Sequence, residues 1–215
     1  MSLSAPSFSR GLYAIVDLQA LGGRDPCRFA SIVLDCGAVA LQLRGKAASS
    51  GELLRVARDL VPLCRARQVP LIIDDRVDVA IASGADGVHV GQEDLDVADV
   101  REVVRRSGSA VGIVGVSTHD LAQVRAALNS GADYLGFGPV FETASKSRHA
   151  PPVGIEGLAA CVRESTRPVV AIGGIDEESA PAIVATGAHA VAVIGALARA
   201  ADPLLVARKL TEAFR

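Results

Sequence analysis

Polar and charged residues gather in short phrases directly after apolar runs: Gln42-Leu43-Arg44-Gly45-Lys46, Asp74-Asp75-Arg76, Gly91-Gln92-Glu93-Asp94 and, in a later loop, Thr143-Ala144-Ser145-Lys146. Asp75 and Asp94 form a candidate metal pair. If the runs before them are neighbouring strands, about 4.8 Å apart, both carboxylates reach one small cation whose other positions take water and phosphate oxygens. Magnesium suits such hard oxygen donors. The plain alternative is that each aspartate caps the helix that follows it. Arg44, Lys46 and Lys146 would surround a polyanion, the arginine as a planar fork and the lysines as mobile point charges. A diphosphate shared with magnesium calls for that many cations, whereas three solvated surface charges would need no ligand at all.

Glycines mark a second candidate region. Gly173-Gly174 and Ile194-Gly195-Ala196 follow the last two apolar runs, where backbone N–H groups can meet phosphate oxygens because glycine permits close approach. Tight turns would use the same residues. In Gly115-Val116-Ser117-Thr118-His119, Ser117 has a hydroxyl to donate to phosphate, and His119 either exchanges protons or serves structurally at a helix start. The chain has no GxGxxG phrase and no Ser, His and Asp grouping in a hydrolase context.

What must position these groups is legible in the apolar periodicity. Short runs with β-branched residues recur at Leu12–Val16, Val39–Leu43, Leu71–Ile73, Gly87–Val90, Val111–Val116, Tyr134–Phe137, Val169–Ile172 and Ala190–Ile194. Helical periodicity lies between several of them, over Glu52–Arg67, Val97–Arg106, Leu121–Ser130 and Ser179–Thr186, with a final stretch over Pro203–Phe214. Alternating strands and helices call for a parallel sheet, and repeats of roughly 27 residues match a compact α/β (β/α)8 TIM barrel. A doubly wound open sheet is the main rival. Ser49 and Glu52 have capping-box spacing, and Pro62 should kink or shorten the helix they begin. Ser83-Gly84-Ala85-Asp86, Ser130-Gly131-Ala132-Asp133 and Thr186-Gly187-Ala188-His189 repeat one pattern, in which a helix ends, glycine takes a left-handed cap and a strand begins. The stretch Pro139–Gly154, rich in Thr, Ser, Lys and Pro, is long enough to be a lid or else an insertion. A barrel over residues 11–215 with an extension over 1–10 is the expected domain plan.

Composition narrows the class. Of 215 residues, 50% are hydrophobic but only 3% aromatic, with no Trp, so aliphatic side chains must fill the interior, as buried parallel sheets require. A formal charge of −2 with dispersed Lys and Arg excludes a basic stripe for nucleic acid or an anionic membrane. Cys27, Cys36, Cys64 and Cys161 lack zinc spacing and read as reduced thiols of a cytoplasmic protein. There is no apolar run of the roughly 18 residues a membrane span needs, and Met1–Arg10 has no signal-peptide core. Phosphorylated small molecules are the partners expected, with a homodimer left open.

Taken in order, these phrases resemble the thiamine phosphate synthase family. The likeness runs from Gly11-Leu12-Tyr13 through Gln42–Lys46, Ile72–Asp78, Gly87–Leu95, Gly115–His119, Gly131–Phe141, Ala171–Ile175 and Val191–Leu197. It implies a (β/α)8 barrel that joins hydroxymethylpyrimidine diphosphate to thiazole phosphate with magnesium and releases pyrophosphate. Carried over, it makes Asp75 and Asp94 the magnesium ligands. Gln42, Arg44, Lys46, Ser117 and Lys146 would hold the pyrimidine diphosphate, with Asp74 beside them and Leu43 and Gly45 in the same segment. Arg44, Lys46, Ser117 and Lys146 would be the catalytic set. Thr143, Ser145, Gly174, Ile194 and Gly195 would hold the thiazole phosphate, with Ala144 and Gly173 among the substrate-binding residues of the same segments. The chain departs from the family pattern at Asp74, where Asn is usual, at Gly195 for Ser, Gly45 for Glu and Ser145 for Thr. A related thiazole tautomerase, with His119 moving a proton, and a phosphate-binding barrel without catalysis are the alternatives.

Overall fold

The computed structural model describes residues 8–143 and 151–215. In chain order its elements are β1 (Gly11–Asp17), α1 (Pro26–Asp35), β2 (Ala40–Arg44), α2 (Ser50–Ala66), β3 (Leu71–Asp74), α3 (Val77–Ser83), β4 (Gly87–Val90) and α4 (Val97–Ser107). There follow β5 (Ile113–Thr118), α5 (Leu121–Leu128), β6 (Tyr134–Phe137), α6 (Gly154–Glu164), β7 (Val169–Ile172), α7 (Ala180–Ala185), β8 (Ala190–Val193), α8 (Gly195–Ala198) and α9 (Pro203–Glu212). Each strand pairs in parallel with the next, and β8 returns to β1 with Gly11 opposite Ala190 and Ala14 opposite Val193. That seam closes the sheet and removes the open, doubly wound alternative.

The two-residue period of a strand sorts side chains between two cores. Leu12, Ala14 and Val16 of β1, with Leu41 and Leu43 of β2 and Leu71 and Ile73 of β3, pack outward against the helices. Tyr13, Ile15, Ala40, Ile72, Tyr134 and Val170 pack inward and fill the barrel. The inward series continues toward the strands' C-terminal ends as Asp17, Gln42, Arg44, Asp74, His89 and Ser117, so one phase of the pleat passes from apolar floor to polar rim.

Phe8 is buried at the N-terminal end of this interior, its ring edge-on to those of Tyr13, Tyr134 and His189. The expected extension over residues 1–10 is therefore part of the packed barrel from Phe8 onward, because an aromatic ring there covers apolar surface that would otherwise face water. Pro62 does not shorten its helix: α2 continues to Ala66. At its start, Ser49 Oγ accepts the N–H of Glu52, and that half of the capping box is formed without the return bond from Glu52. The three repeated Gly positions do take positive φ, at 75° for Gly84, 88° for Gly131 and 89° for Gly187.

Gly115 shows how tightly the interior is fitted. A Cβ at this position would lie 2.1 Å from Cζ of Tyr134. The ring is fully buried, so it has no open space to retreat into. Gly115→Ala is expected to cost roughly 1–3 kcal/mol, the usual penalty for overpacking a filled core. Urea denaturation checks this, and an unchanged midpoint would mean that the ring has room to move.

Candidate active site

At the rim, Arg44 of β2 lies between two carboxylates. One guanidinium N–H group meets Asp17 Oδ2 and Nε lies 3.3 Å from Asp74 Oδ2. Asp17 also accepts the N–H groups of Gln19 and Ala20 at 3.0 and 2.9 Å, so the turn after β1 holds the carboxylate in place. Beyond β2, half-exposed Lys46 places Nζ on Asp75 Oδ2.

Asp75 and Asp94 do meet, although they stand on loops after β3 and β4 and not on the strands themselves. Asp75 has φ 59°, the left-handed region, and its N–H donates to the His89 carbonyl at 2.7 Å. Aspartate tolerates this conformation better than most residues. Asp94 Oδ2 accepts the N–H of Gly91 at 2.9 Å. Neither carboxylate caps the next helix, since Arg76 is the N-cap of α3 without a side-chain bond and Asp96 caps α4. Burial pushes the Asp75 carboxyl above its ordinary value, Lys46 opposes this, and Asp94 adds to it. Burial pulls Lys46 down, but the bond to Asp75 and the charges of Asp75, Asp74 and Asp94 outweigh it and leave the ammonium raised.

Among the described residues no group of three or more His, Cys, Asp and Glu side chains is arranged to hold a metal. Two adjoining carboxylates fit a hard cation that takes its remaining ligands from water and phosphate. Charge argues the same way, because around Arg44 and Lys46 stand the four carboxylates of Asp17, Asp74, Asp75 and Asp94.

Below the rim a hydrogen-bonded chain crosses the barrel. Gln42 Nε2 donates to Tyr13 Oη at 3.0 Å, Tyr13 Oη and Tyr134 Oη are 2.8 Å apart, and Tyr134 Oη is 2.9 Å from His89 Nδ1. His89 Nε2 is in turn 2.9 Å from Ser117 Oγ. Burial raises both phenols, which are therefore neutral hydroxyls near pH 7. A cavity of about 30 Å³ among these residues has room for roughly one water. Any larger ligand must therefore sit above this layer.

A cavity of about 940 Å³ opens beside it and shares Ile172, Ala192 and Ile194 with the small one. Thr143, Gly173, Gly174, Ile194 and Gly195 line it, so these expected residues are brought together. Gly174 has φ 65°, and a Cβ there would lie 2.4 Å from the Glu142 carbonyl oxygen, so both backbone and space require glycine. His119 also lines this cavity, but Nδ1 is hydrogen-bonded to the Gly138 carbonyl and its N–H to Gln123 Oε1, the structural arrangement of the two expected for it.

Two expected binding residues bring no side chain to the rim. Leu43 points outward into the layer between barrel and helices, and the Cβ direction of Gly45 faces Leu53 of α2 at 2.8 Å. Their phase in the pleat and turn leaves only backbone available. Ala144, Ser145 and Lys146 lie outside the described residues. The residues not expected from sequence are Asp17, Tyr13, Tyr134 and His89; each occupies the inward phase of its strand, the signal that could have found them.

A profile described as thiamine monophosphate synthase matches residues 12–197. A thiamine-phosphate synthase of Chloroflexus aurantiacus is 40% identical over 199 residues, 93% of this chain and 90% of the relative. One from Laribacter hongkongensis is 42% identical over 200 residues, covering 93% and 92%. The solved structure of a thiamine phosphate pyrophosphorylase from Pyrococcus furiosus superposes with a TM-score of 0.85 at 34% identity, covering 95% of each chain.

The acidic pair has a consequence for stability. A carboxyl whose folded value is raised gives stability that is fully present below the unfolded value and lost as pH rises through the folded one. Asp94→Asn keeps an acceptor for Gly91 while removing the like charge from Asp75. Asp94 acts on Asp75 through both a side-chain bond and like charge but on half-exposed Lys46 through charge alone, so the relief at Asp75 is the larger effect. The variant is expected to be more stable than the parent at pH 7 by roughly 1 kcal/mol, with the gap closing at pH 3. Denaturant titrations at both pH values check it, and a variant less stable at pH 7 would refute the repulsion.

Proposed function

The chain belongs to the thiamine monophosphate synthase family, and on that premise we propose how its rim couples hydroxymethylpyrimidine diphosphate to thiazole phosphate, giving thiamine phosphate and pyrophosphate. The observation that carries the reading is the meeting of Asp75 and Asp94 under Lys46, next to Arg44, at one end of a closed barrel. That arrangement suits a diphosphate that arrives with a divalent cation.

Asp75 and Asp94 would hold magnesium, which would supply positive charge to the diphosphate oxygens. Arg44 and Lys46 bind the same group from the β2 side, and Lys146, which lies outside the described residues, would be the third cation of the set. The pyrimidine rests above the Gln42, Tyr13, Tyr134 and His89 layer, whose hydroxyl, amide and imidazole groups orient its ring nitrogens. The bond between the methylene carbon and the diphosphate oxygen breaks, and its electron pair leaves with the oxygen. The electron-rich aminopyrimidine carries the resulting positive charge until the thiazole nitrogen gives its lone pair to the carbon. Leaving-group electrostatics and alignment supply the rate, and no covalent enzyme intermediate is required.

The thiazole phosphate occupies the larger cavity. The N–H groups of Gly174 and Gly195 meet no protein acceptor among the described residues and are available to phosphate oxygens. Asp74, in the place usual for Asn, is accommodated by its contact with Arg44, so its charge faces a cation and not the diphosphate alone.

Pyrophosphate release measured with both substrates, with and without magnesium, tests the reading. The parent protein is expected to turn over only with both substrates and the metal. Isomerisation of the thiazole alone would assign a tautomerase, and saturable binding without turnover a non-catalytic barrel. Asp75→Asn is expected to lower turnover by roughly 100-fold and to flatten its magnesium dependence. Lys146→Ala should lower turnover on a similar scale, and a variant within a factor of two of the parent would remove that lysine from the mechanism.

A further inference from the structure

The rim of the larger cavity carries an unspent charge. Its lining includes the carboxylates of Glu142, Asp176, Glu177 and Asp202, and Arg199 is the one Lys or Arg among its described residues. Asp176 is engaged by Ser179 and by the N–H of Glu178, Asp202 accepts the N–H groups of Leu204 and Leu205, and Glu177 lies 3.9 Å from Lys209. Glu142 is exposed. The Arg199 guanidinium has no acceptor or ion-pair partner among the described residues.

Its position is tied to Gly195, one helical turn earlier. A Cβ on Gly195 would lie 2.3 Å from Nη2, 2.7 Å from Cζ and 2.9 Å from Nη1 of Arg199, so the guanidinium fills the volume that any side chain at 195 would occupy. The three nearest atoms all belong to that group, and Gly195 is absent from the residues with positive φ. No backbone conformation requires glycine here; its missing side chain leaves the space in which the guanidinium sits.

We propose that Arg199 is a specificity-determining residue for the phosphate of the thiazole substrate, placed over Gly195 to offset the cavity's carboxylates and donate its planar fork to phosphate oxygens. Four carboxylates around an opening repel a phosphate dianion, and backbone N–H groups alone carry only partial charge. A guanidinium whose donors meet no acceptor among the described residues is suited to bidentate phosphate recognition. The inference rests on the larger cavity holding thiazole phosphate, and it locates the discrimination between the phosphorylated thiazole and its free alcohol at this side chain.

The test is steady-state kinetics of the full chain with each substrate varied in turn. Arg199→Ala is expected to raise KM for thiazole phosphate at least tenfold while KM for the pyrimidine diphosphate stays within twofold. The preference for thiazole phosphate over the unphosphorylated alcohol should fall by the same factor. Gly195→Ala, which evicts the guanidinium without removing it, should reproduce the effect, and the double variant should be no worse than either single one. An unchanged KM for thiazole phosphate in Arg199→Ala, equal rises in both KM values, or additive losses in the double variant would each overturn the assignment. Absence of turnover in the parent protein would instead remove the reading of the cavity on which the proposal stands.

Discussion

Charge at the barrel mouth is balanced by contact and not by number. Arg44 spans Asp17 and Asp74 while Lys46 covers Asp75, which itself meets Asp94, so two cations are threaded through four carboxylates on adjacent strands and loops. The arrangement tolerates burial only because every carboxylate has a donor or cation against it, Asp17 and Asp94 through backbone N–H groups as well. Four carboxylates against two cations leave a formal excess of two negative charges. On the proposed reading, a divalent ion would offset this excess and let a polyanion bind where carboxylates alone would repel it.

That mouth stands on an interior with little freedom. The inward side chains of eight strands must fill a fixed cross-section, and here two tyrosines and a histidine take the space that glycines at 115 and 136 leave open. Their polar atoms are joined end to end, from Gln42 through the phenols to Ser117, and among the described residues no buried side-chain nitrogen or oxygen is orphaned. Such a layer costs less to hold still than a set of independent polar groups, since each partner fixes the next. The rim residues Gln42 and Ser117 are the two ends of this chain and inherit its rigidity.

The strand and helix alternation is legible because each strand carries its own two-residue period, and the polar phrases after the strands lead to the end of the barrel where Arg44, Lys46, Asp75 and Asp94 come together. Closure was not legible locally, since pairing of Gly11 with Ala190 depends on residues far apart in the chain. Periodicity does not mark Gly154–Glu164, since α6 follows directly on a loop of opposite composition, and of the short α3 only the end is signalled, by the Ser83-Gly84 cap. Leu43 and Gly45 were expected at the site because they lie between Gln42, Arg44 and Lys46, yet the alternation that sends Gln42 and Arg44 inward sends Leu43 outward. His89 was hidden for the converse reason, as one polar residue in an otherwise apolar run. Arg199 depends on a four-residue helical spacing from Gly195 within an element of only four residues, Gly195–Ala198, too brief to show a period.

The β1 to β8 seam also governs how the molecule comes into being. During synthesis β1 leaves the ribosome with its partner on one side following about thirty residues later, but its other edge stays bare until Ala190–Val193 has emerged. For that interval the nascent chain is an open sheet with a full row of unmatched peptide groups and its aliphatic faces incompletely covered, the state in which strands recruit neighbours from other chains. A barrel so dependent on its last strand is safest when elongation through the final quarter is prompt, or when a chaperone shields the first edge in the meantime.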